Sequence, residues 1–428
     1  MNLILLAIKF NYDPTSATGD ALNIRRNATQ FVSVPEWQRG ISINPRDSLA
    51  AYAIGPTRGR TLTIQAKFAR TDPRMSSVEV RAIPSSPFGD LLEALDRFLS
   101  FSAYVPQLYF YYLWLYNLVL QMARVNRGDV LGSVNSRRII FVGLESDFET
   151  FELKDHALWS GGVGIHNVNW RWQFRSSSFE PWTDFAESKH RIYTVLEVPK
   201  EPWIQTPYNP LNTHLPWTEV MDYACSWADG TTNPDDASTR ITKAVFELGP
   251  ELVEYDCPGL GSSHYTLVFP FEAFDCTAFL GRLRRGIGNG RFVNCTDCAS
   301  VVSTFSNITG SSLFQSRMFS DSGVLFGVNP VLAIGSNVWR RPCNFPGFSF
   351  HEVAWEGECT ENTNVFDACL LVNGGFDPTG PPQIPLLPAN LRFGGLLERK
   401  YRFRLATPAG RSLCEPQPII SRQRRHVI

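Results

Sequence analysis

The apolar residues of this 428-residue chain change their spacing twice along its length. Residues 1–200 contain short runs such as Val168 to Phe174, in which apolar and polar residues alternate as they do along a half-buried strand. Residues 217–310 follow a helical period instead, and strand-like runs return from about residue 323. This order predicts an α+β protein in which a β-rich, sandwich-like domain precedes a domain whose helices come before its strands.

Changes in composition predict where the domains begin and end. Prolines recur between residues 199 and 216 and indicate a linker at residues 201–216. The N-terminal domain then covers residues 1–200 and the second domain covers residues 217–412. Residues 413–428 form the predicted tail, in which the basic run from Arg422 to His426 is expected to be solvated.

An aromatic stretch near residues 90–123 interrupts the predicted N-terminal domain. The segment from Leu91 to Leu99 is helical in pattern, and the segment from Tyr104 to Met122 carries no charge and approaches the length of a membrane span. Pro106 and Asn117 interrupt it, and no other part of the chain indicates a membrane. We therefore expect a buried or surface-packed helical insertion, with a poorly ordered insertion as the alternative.

The overall charge argues against some classes of partner. The chain has 40 basic and 41 acidic residues, so no net field favours nucleic acid or an anionic membrane. Residues Met1 to Ile8 are apolar but lack the basic start and cleavage site of a signal peptide, which slightly favours the cytoplasm in a chain whose compartment is otherwise unknown. The nine cysteines are too few for a disulfide scaffold, and their odd number leaves at least one thiol free.

Three helices are predicted before residue 290. The clearest begins at Asn233, a good N-cap, with Pro234 at the first helical position, and it ends at Gly249. The other two run from Trp217 to Ala228 and from Phe274 to Arg285.

Cys295 opens a fourth predicted helix. The apolar run from Ala299 to Ile308 continues this helix, and Gly310 ends it. A thiol at a helix N-terminus lies in the positive end of the helix dipole, which favours the thiolate form. Because the thiolate is the nucleophilic form of cysteine, this position is suited to covalent catalysis.

His351 and Asp367 lie in two strand-like runs, residues 348–355 and 364–372, that can form a hairpin. A register that pairs His351 with Asp367 would make their side chains direct cross-strand neighbours on one face. The carboxylate could then accept from one ring nitrogen and leave the other to face a thiol. Cys295, His351 and Asp367 are therefore the predicted nucleophile, base and orienting residue.

These segments resemble the core of the transglutaminase-like superfamily of papain-like cysteine enzymes. That family has a Cys-x-Asp-x-Ala signature at a helix start, a closing Gly, and then His and Asp on successive strands. The chain has Cys295, Asp297, Ala299 and Gly310 in that order, followed by His351 and Asp367, and the resemblance covers roughly residues 217–380.

The resemblance implies acyl transfer through a thioester on Cys295, with His351 passing protons and Asp367 holding it. It also implies an oxyanion site formed by the Cys295 N–H and one further donor, for which Tyr265 and Asn294 are the candidates. Asp297 is expected to support the helix start through bonds to backbone N–H groups.

A metal or redox role is the alternative for Cys295 and Cys298, which fit a Cys-x-x-Cys pattern. A redox pair would need a βαβ context, and a zinc site would need two more ligands, for which only isolated candidates such as Cys343 and His351 exist. We therefore expect no cofactor and no metal, with Cys298 a buried, inert thiol. The remaining cysteines are expected to be small buried apolar side chains: Cys225, Cys257, Cys276, Cys359, Cys369 and Cys414.

Three functions stay open from the sequence. The first is a cysteine peptidase or amidase acting on a protein or peptide, and the second is a glutamine transamidase that shares the same thioester. The third is a non-catalytic binding or scaffolding protein that keeps the fold. The sequence indicates neither the substrate nor the oligomeric state.

Overall fold

A computed structural model describes most of the chain, and its contacts divide into two compact units. The described residues are 3–12, 21–55, 62–85, 106–125, 130–154, 156–205, 213–267, 272–380 and 384–428, with 91, 94, 95, 98 and 99 between them. Unit 1 comprises Met1–Ile24, Phe31–Glu197 and Thr206–Asn209, and unit 2 comprises Arg25–Gln30, Val198–Gln205 and Pro210–Ile428. Helices and large sheets are mixed, in agreement with the predicted α+β class.

Unit 1 is built on one nine-stranded sheet in the described residues, with the order β2-β1-β4-β7-β6-β5-β8-β9-β3. Neighbouring strands pair antiparallel except β3 and β9, which are parallel. The strands are β1 Leu3–Lys9, β2 Trp37–Gln38, β3 Leu49–Ala53, β4 Thr63–Arg70, β5 Ser77–Pro84, β6 Ser133–Ile140, β7 Glu149–Lys154, β8 Gly164–Arg175 and β9 Thr183–Val195.

The core of unit 1 follows from strand alternation. Val168, Trp170 and Trp172 point to one face of β8 and are fully buried, and the two indole N–H groups donate to Gly132 O and Ser188 Oγ. Phe174 is only half-buried because a bulge after Trp172 interrupts the alternation. The predicted β-rich architecture is observed as one continuous hydrogen-bonded sheet, and strands that are not neighbours in it pack face to face, as Phe68 of β4 does against Trp172 of β8 at 5.7 Å.

The aromatic stretch contains a helix, α1 Pro106–Val125. Phe110 and Trp114 are 67% and 60% exposed, whereas Val119 is buried. Within the described residues, no helix has both the length and the apolar character needed to cross a bilayer. Residues 100–105 of the predicted insertion lie outside the described residues.

Unit 2 surrounds a central helix with shorter helices and an antiparallel five-stranded sheet of order β22-β19-β18-β14-β23. Its helices are α2 Thr218–Trp227, α3 Pro234–Phe246, α4 Cys276–Leu283, α5 Cys295–Ile308, α6 Tyr401–Leu405 and α7 Pro418–Ser421. Its strands are β10 Glu254–Tyr255, β11 Thr266–Leu267, β12 Ala273–Phe274, β13 Phe292–Val293, β14 Leu313–Phe319, β15 Phe326–Gly327, β16 Leu332–Ala333, β17 Gly347–Phe348, β18 His351–Glu356, β19 Asn364–Phe366, β20 Leu370–Asn373, β21 Pro385–Leu386, β22 Leu391–Arg392, β23 Glu415–Pro416 and β24 His426–Val427.

The central helix α5 is buried at every residue and packs against β18. It begins at Cys295 as predicted, and Gly310 follows its end with a φ of 101°, which glycine adopts without strain. Two of its buried serines are satisfied within the helix, because Ser300 Oγ donates to Thr296 O and Ser303 Oγ donates to Ala299 O.

Local signals also place the helix that starts at Asn233. Asn233 Oδ1 accepts from Asp236 N at 2.9 Å, and Pro234 occupies the first helical position. Part of the predicted linker is packed in unit 2, because buried Trp203 donates from its indole N–H to Thr304 O at 2.9 Å. Residues 206–212 of that linker lie outside the described residues.

The chain between 413 and 428 differs from the expected solvated tail. Arg425 is 1% exposed and pairs with Glu352 and Glu272, and β24 pairs in parallel with β12. The Arg424 Nε donates to Leu313 O at 3.0 Å. Arg424 and Arg425 are therefore packed into unit 2, because carboxylates and a backbone carbonyl satisfy their guanidinium groups, whereas His426 is exposed.

Two cysteines also differ from their expected roles. Cys257 and Cys343 form a disulfide, with Cα atoms 5.1 Å apart and a separation of 86 positions in sequence. Cys343 is thus no metal-ligand candidate. The other seven cysteines are free and buried, so the nine cysteines form one disulfide and seven free thiols.

Candidate active site

His351 and Asp367 meet in the core of unit 2. His351 Nε2 lies 3.0 Å from Asp367 Oδ2, and the two residues are 1% and 2% exposed. Strand β18 supplies the histidine, and the aspartate follows the last residue of β19. Both residues are thus held by the ends of paired strands.

The register of that hairpin differs from the predicted one by two residues. Ala354 pairs with Phe366 and Trp355 with Val365, which sets Asp367 level with Val353 and not with His351. The turn fixes this register through a bond from Cys359 N to Glu356 O at 3.1 Å. A shift of two residues keeps every side chain on its own face, so the histidine and aspartate still meet diagonally.

Asp367 accepts two further hydrogen bonds. The Tyr401 hydroxyl donates to Oδ2 at 2.7 Å, and the backbone N–H of Cys369 donates to Oδ1 at 2.8 Å. Tyr401 is fully buried at the start of α6, and burial followed by the Asp367 charge raises its pKa well above the ordinary value. The phenol therefore stays protonated and acts as a donor.

The His351 ring is held by stacking and charged by its partner. Its centroid lies 5.5 Å from that of Phe348, with the rings 17° apart. Burial alone would lower the pKa of His351, but the charge and hydrogen bond of Asp367, and after them the nearby Cys295, raise it to about 10. The imidazole is thus protonated at neutral pH.

Cys295 is the first residue of α5 and a neighbour of His351. It is 5% exposed, and its side chain is close enough to the His351 ring to raise the pKa of that ring. Because Asp367 engages Nε2, the nitrogen that remains for the sulfur is Nδ1. The structure brings the three predicted site residues together in one buried cluster.

Asn294 and Asp297 form a capping box at the start of α5. Asn294 Oδ1 accepts from Asp297 N at 3.0 Å, and Asp297 Oδ2 accepts from Asn294 N at 3.2 Å. The Asp297 carboxylate also accepts from the backbone N–H groups of His264 and Tyr265 at 2.8 and 3.0 Å. Burial raises the pKa of Asp297, against the lowering effect of these bonds.

The two candidate oxyanion donors are engaged in other bonds. The Tyr265 hydroxyl donates to Gly290 O, and its ring packs edge-on against Phe279 at 5.3 Å. The Asn294 amide donates to Gly261 O at 2.8 Å. Both side chains therefore hold the loops around the start of α5, and neither is placed as the second oxyanion donor.

A buried ionic network connects the helix of Cys295 to the strand of His351. Thr296 Oγ1 donates to Glu352 Oε2 at 3.0 Å, so the residue after the thiol bonds to the residue after the imidazole. Glu352 also pairs with Arg317 at 3.0 Å and with Arg425 at 2.5 Å. Burial would raise the pKa of Glu352, but the two guanidinium groups hold it below its ordinary value.

The remaining thiols near the site are buried behind Cys295. Cys298 lies one turn along α5, and Cys298 and Cys369 are both buried. Burial raises the pKa of Cys369 well above its ordinary value, so this thiol stays protonated. Among the described residues, no group of three or more His, Cys, Asp or Glu side chains is placed to hold a metal ion.

Sequence reasoning missed Tyr401, Phe348 and Glu352. Tyr401 lies 34 residues from Asp367, and no local pattern connects the two. Glu352 follows His351 directly, but a single acidic residue in a strand gives no sign of its partners. Phe348 and Glu352 both lie inside the predicted strand segment 348–355, but the alternating pattern does not indicate what either side chain contacts.

No family model and no curated protein matches the chain. Among solved structures, the crystal structure of red sea bream transglutaminase is similar, with a TM-score of 0.36 and 11% sequence identity. The similarity covers 78% of this chain and 51% of that chain, so this chain spans about half the length of the transglutaminase. A likeness of this strength does not identify a function, which has to be inferred from the geometry of the side chains.

Proposed function

We propose that the protein is a thiol-dependent acyl-transfer enzyme that acts on amide bonds of proteins or peptides. In this proposal Cys295 is the nucleophile, His351 transfers the proton and Asp367 orients the imidazole. The observation that carries it is the buried 3.0 Å contact between His351 and Asp367, with Cys295 beside the same ring.

Acylation begins when the thiolate of Cys295 attacks the amide carbonyl carbon and the C=O electron pair moves to oxygen. As the pair returns, the C–N bond breaks, and the His351 imidazolium gives its proton to the leaving nitrogen. The products are a thioester on Cys295 and a free amine. The raised pKa of His351, about 10, supports an imidazolium at this stage.

Deacylation returns the site to its starting state. Water attacks the thioester carbon and gives a proton to neutral His351, and the sulfur leaves as thiolate. The proposed donor to the oxyanion in both steps is the backbone N–H of Cys295, because the first N–H groups of a helix have no intrahelical acceptor. No cofactor enters either step.

Transamidation remains the second candidate because it shares the thioester. The choice depends on whether water or an amine reaches the thioester first. The site is closed, with Cys295 5% and His351 1% exposed, and a site that excludes water lengthens the life of an acyl intermediate. The low exposure of these two residues is the observation that supports transamidation as the second candidate.

Thiol labelling distinguishes an enzyme from a scaffold that only keeps the fold. The expected result with iodoacetamide at pH 7 is that Cys295 is alkylated first among the free thiols. His351→Ala should slow this alkylation about 100-fold, the lower end of the effect of a catalytic proton-transfer group. Cys298→Ala, which removes a thiol from the same helix, is the matched control and should label as the wild type does.

The products then separate the two reactions. A peptide with one glutamine is incubated with and without a primary amine. With the amine, the glutamine should gain an amine adduct if transamidation competes with hydrolysis. Without the amine, the glutamine should be converted to a carboxylate. Equal labelling of wild type and His351→Ala, with neither product formed, would favour the scaffold.

A further inference from the structure

A pocket of about 330 Å³ lies in unit 2 beside the start of the central helix. Its volume is enough for one amino-acid side chain, at the lower end of the range for ligand sites. Its wall contains aromatic, apolar and polar groups. The wall includes Tyr255, Pro258, Phe292, Val338, Arg340 and Pro342.

Two strands connect this pocket to Cys295. Tyr255 of β10 pairs in parallel with Val293 of β13, and Asp256 N donates to Val293 O at 2.9 Å. Cys295 follows two residues after Val293. Tyr255 lines the pocket, so one strand pairing connects the pocket wall to the segment that leads into Cys295. Burial, and after it the charge of Cys295, raises the pKa of Tyr255 above its ordinary value. A group bound in the pocket would therefore belong to a chain that passes the nucleophile.

The charges of the pocket leave one cation uncompensated. Glu254 pairs with Arg291 at 3.0 Å, which neutralises the acidic side of the wall. Arg340 is exposed, and within the described ranges no acidic side chain forms an ion pair with it. Asn337 adds an exposed amide to the same wall. An arginine next to apolar walls is suited to a carboxylate on a short aliphatic stem.

The disulfide fixes the two loops that carry these groups. Cys257 and Cys343 both line the pocket, and their bond joins the loop after β10 to the loop after Arg340. Pro258 and Pro342 lie next to the two cysteines and restrict the same loops. The pocket wall is therefore held in place before any ligand arrives, which reduces the entropic cost of binding.

We propose that this pocket binds a carboxylate of the peptide substrate, with Arg340 as its partner, so that the enzyme prefers an acidic group near the amide it attacks. This inference rests on the proposed function for the identity of the ligand as a peptide. The carboxylate can come from an acidic side chain or from a free C-terminus.

Peptide binding to Cys295→Ala tests this preference without turnover. The first set consists of fluorescein-labelled hexapeptide amides built from alanine, each with one glutamine. Each peptide of this set also carries one glutamate, at a different position in each peptide. Matched peptides carry alanine there, and a third set is neutral with a free C-terminus. In fluorescence anisotropy, one glutamate position or the free C-terminus should bind about tenfold more tightly than the neutral amide. The set that binds more tightly than the neutral amide, either the glutamate peptides or the peptides with a free C-terminus, identifies the source of the carboxylate.

Variants of Arg340 then show whether it is the partner. Added to Cys295→Ala, Arg340→Gln should remove the tenfold preference and leave the affinity for neutral peptides unchanged, and Arg340→Glu should reverse it in favour of lysine peptides. Arg74→Gln, which removes an exposed charge from unit 1, should keep the preference. A preference that survives Arg340→Gln, an absence of any acidic preference, or no binding by any peptide would overturn the inference.

Failure of the pocket and failure of the proposed function give different results. Loss of acidic preference with normal Cys295 labelling and turnover refutes only the pocket. Acidic preference in Cys295→Ala without labelling or turnover in the wild type refutes only the enzyme.

Discussion

Asp367 is the residue that decides how the imidazole of His351 is presented. It accepts from His351, from Tyr401 and from the backbone of Cys369, so its carboxylate has little freedom to rotate. Because its Oδ2 engages Nε2, only Nδ1 of His351 remains for Cys295. The orientation of one carboxylate thus sets which ring nitrogen takes part in chemistry.

Tyr401→Phe tests this positioning. The substitution removes the hydroxyl that donates to Asp367 at 2.7 Å and leaves a buried carboxylate with one fewer donor. We expect a loss of about 1.5–3 kcal/mol in the free energy of unfolding, the usual value of a hydrogen bond to a charged group. Labelling of Cys295 should slow about tenfold because the imidazole is held less firmly.

Tyr265→Phe is the matched control. It also removes a buried tyrosine hydroxyl, but one that donates to Gly290 O and not to Asp367. Urea unfolding and alkylation kinetics on both variants separate stability from positioning. The two variants slowing labelling equally would contradict a specific role for Tyr401.

The raised pKa of His351 predicts an alkaline limit. A histidine whose folded pKa, about 10, exceeds its ordinary value of 6.5 contributes stability fully below pH 6.5 and loses it as the pH rises through 10. Asp367→Asn removes the largest raising influence, so the limit should move to lower pH. NMR titration of the His351 ring protons measures the pKa of His351 in the wild type and in Asp367→Asn. An unchanged midpoint in the variant would show that Asp367 is not the cause of the raised pKa.

At the scale of elements, the Thr296–Glu352 bond sets the distance between α5 and β18. The bond joins the residue after Cys295 to the residue after His351, so the helix cannot slide along the strand without breaking it. Arg317 and Arg425 hold the carboxylate from the other side. The reacting pair therefore depends on a buried charge network one residue away.

Glu352→Gln breaks this network and leaves Arg317 and Arg425 with only Glu272 to compensate their charges among the described residues. We expect a loss of about 3 kcal/mol or more, as for removal of one partner of a buried ion pair. The pKa of Glu352 is below its ordinary value of 4.5, so its stabilisation is present above pH 4.5 and is lost as the pH falls below it. The urea concentration at half unfolding, measured from pH 3 to 7, should decrease as the pH is lowered in the wild type. It should change less with pH in Glu352→Gln.

The disulfide joins two loops that are far apart in sequence. Its cysteines are 86 positions apart in sequence. The double variant Cys257→Ser, Cys343→Ser should therefore lose about 2–4 kcal/mol in the free energy of unfolding, because its unfolded chain gains conformational entropy. A reductant should lower the thermal midpoint of the wild type and leave the double variant unchanged. Alkylation of the unfolded, unreduced protein should modify seven thiols, and nine modified thiols would contradict the bridge.

Helix starts could be predicted from the sequence, but the hairpin register could not. Asn233 and Asn294 cap their helices through bonds to residues three positions on, so the signal is local. A strand shift of two residues leaves the apolar pattern unchanged, so the pattern alone allowed either partner for His351. The disulfide and the Tyr401 contact depend on distant segments, for which one sequence holds no signal.

At the scale of the whole molecule, sequence order does not follow the division into units. Residues Arg25–Gln30 belong to unit 2, although unit 1 precedes and follows them in sequence. Arg25 O accepts from Thr218 N at 2.8 Å and Arg26 O accepts from Glu219 N at 3.1 Å, which satisfies N–H groups in the first turn of α2. A sequence-based boundary near residue 200 could not include this segment, because its partner lies about 190 residues away.

This arrangement predicts that a change near the start of the chain will loosen a helix in its second half. Arg25 is 3% exposed and its guanidinium donates to Asn27 O and Ala28 O, which shapes the turn that meets α2. In Arg25→Ala we expect faster amide hydrogen exchange in Thr218–Trp227 and unchanged exchange in β1, measured by mass spectrometry. Phe68→Ala, a cavity in the core of unit 1, should give the opposite pattern. If Arg25→Ala loosened β1 and left α2 protected, the segment would belong to unit 1 and the division would be wrong.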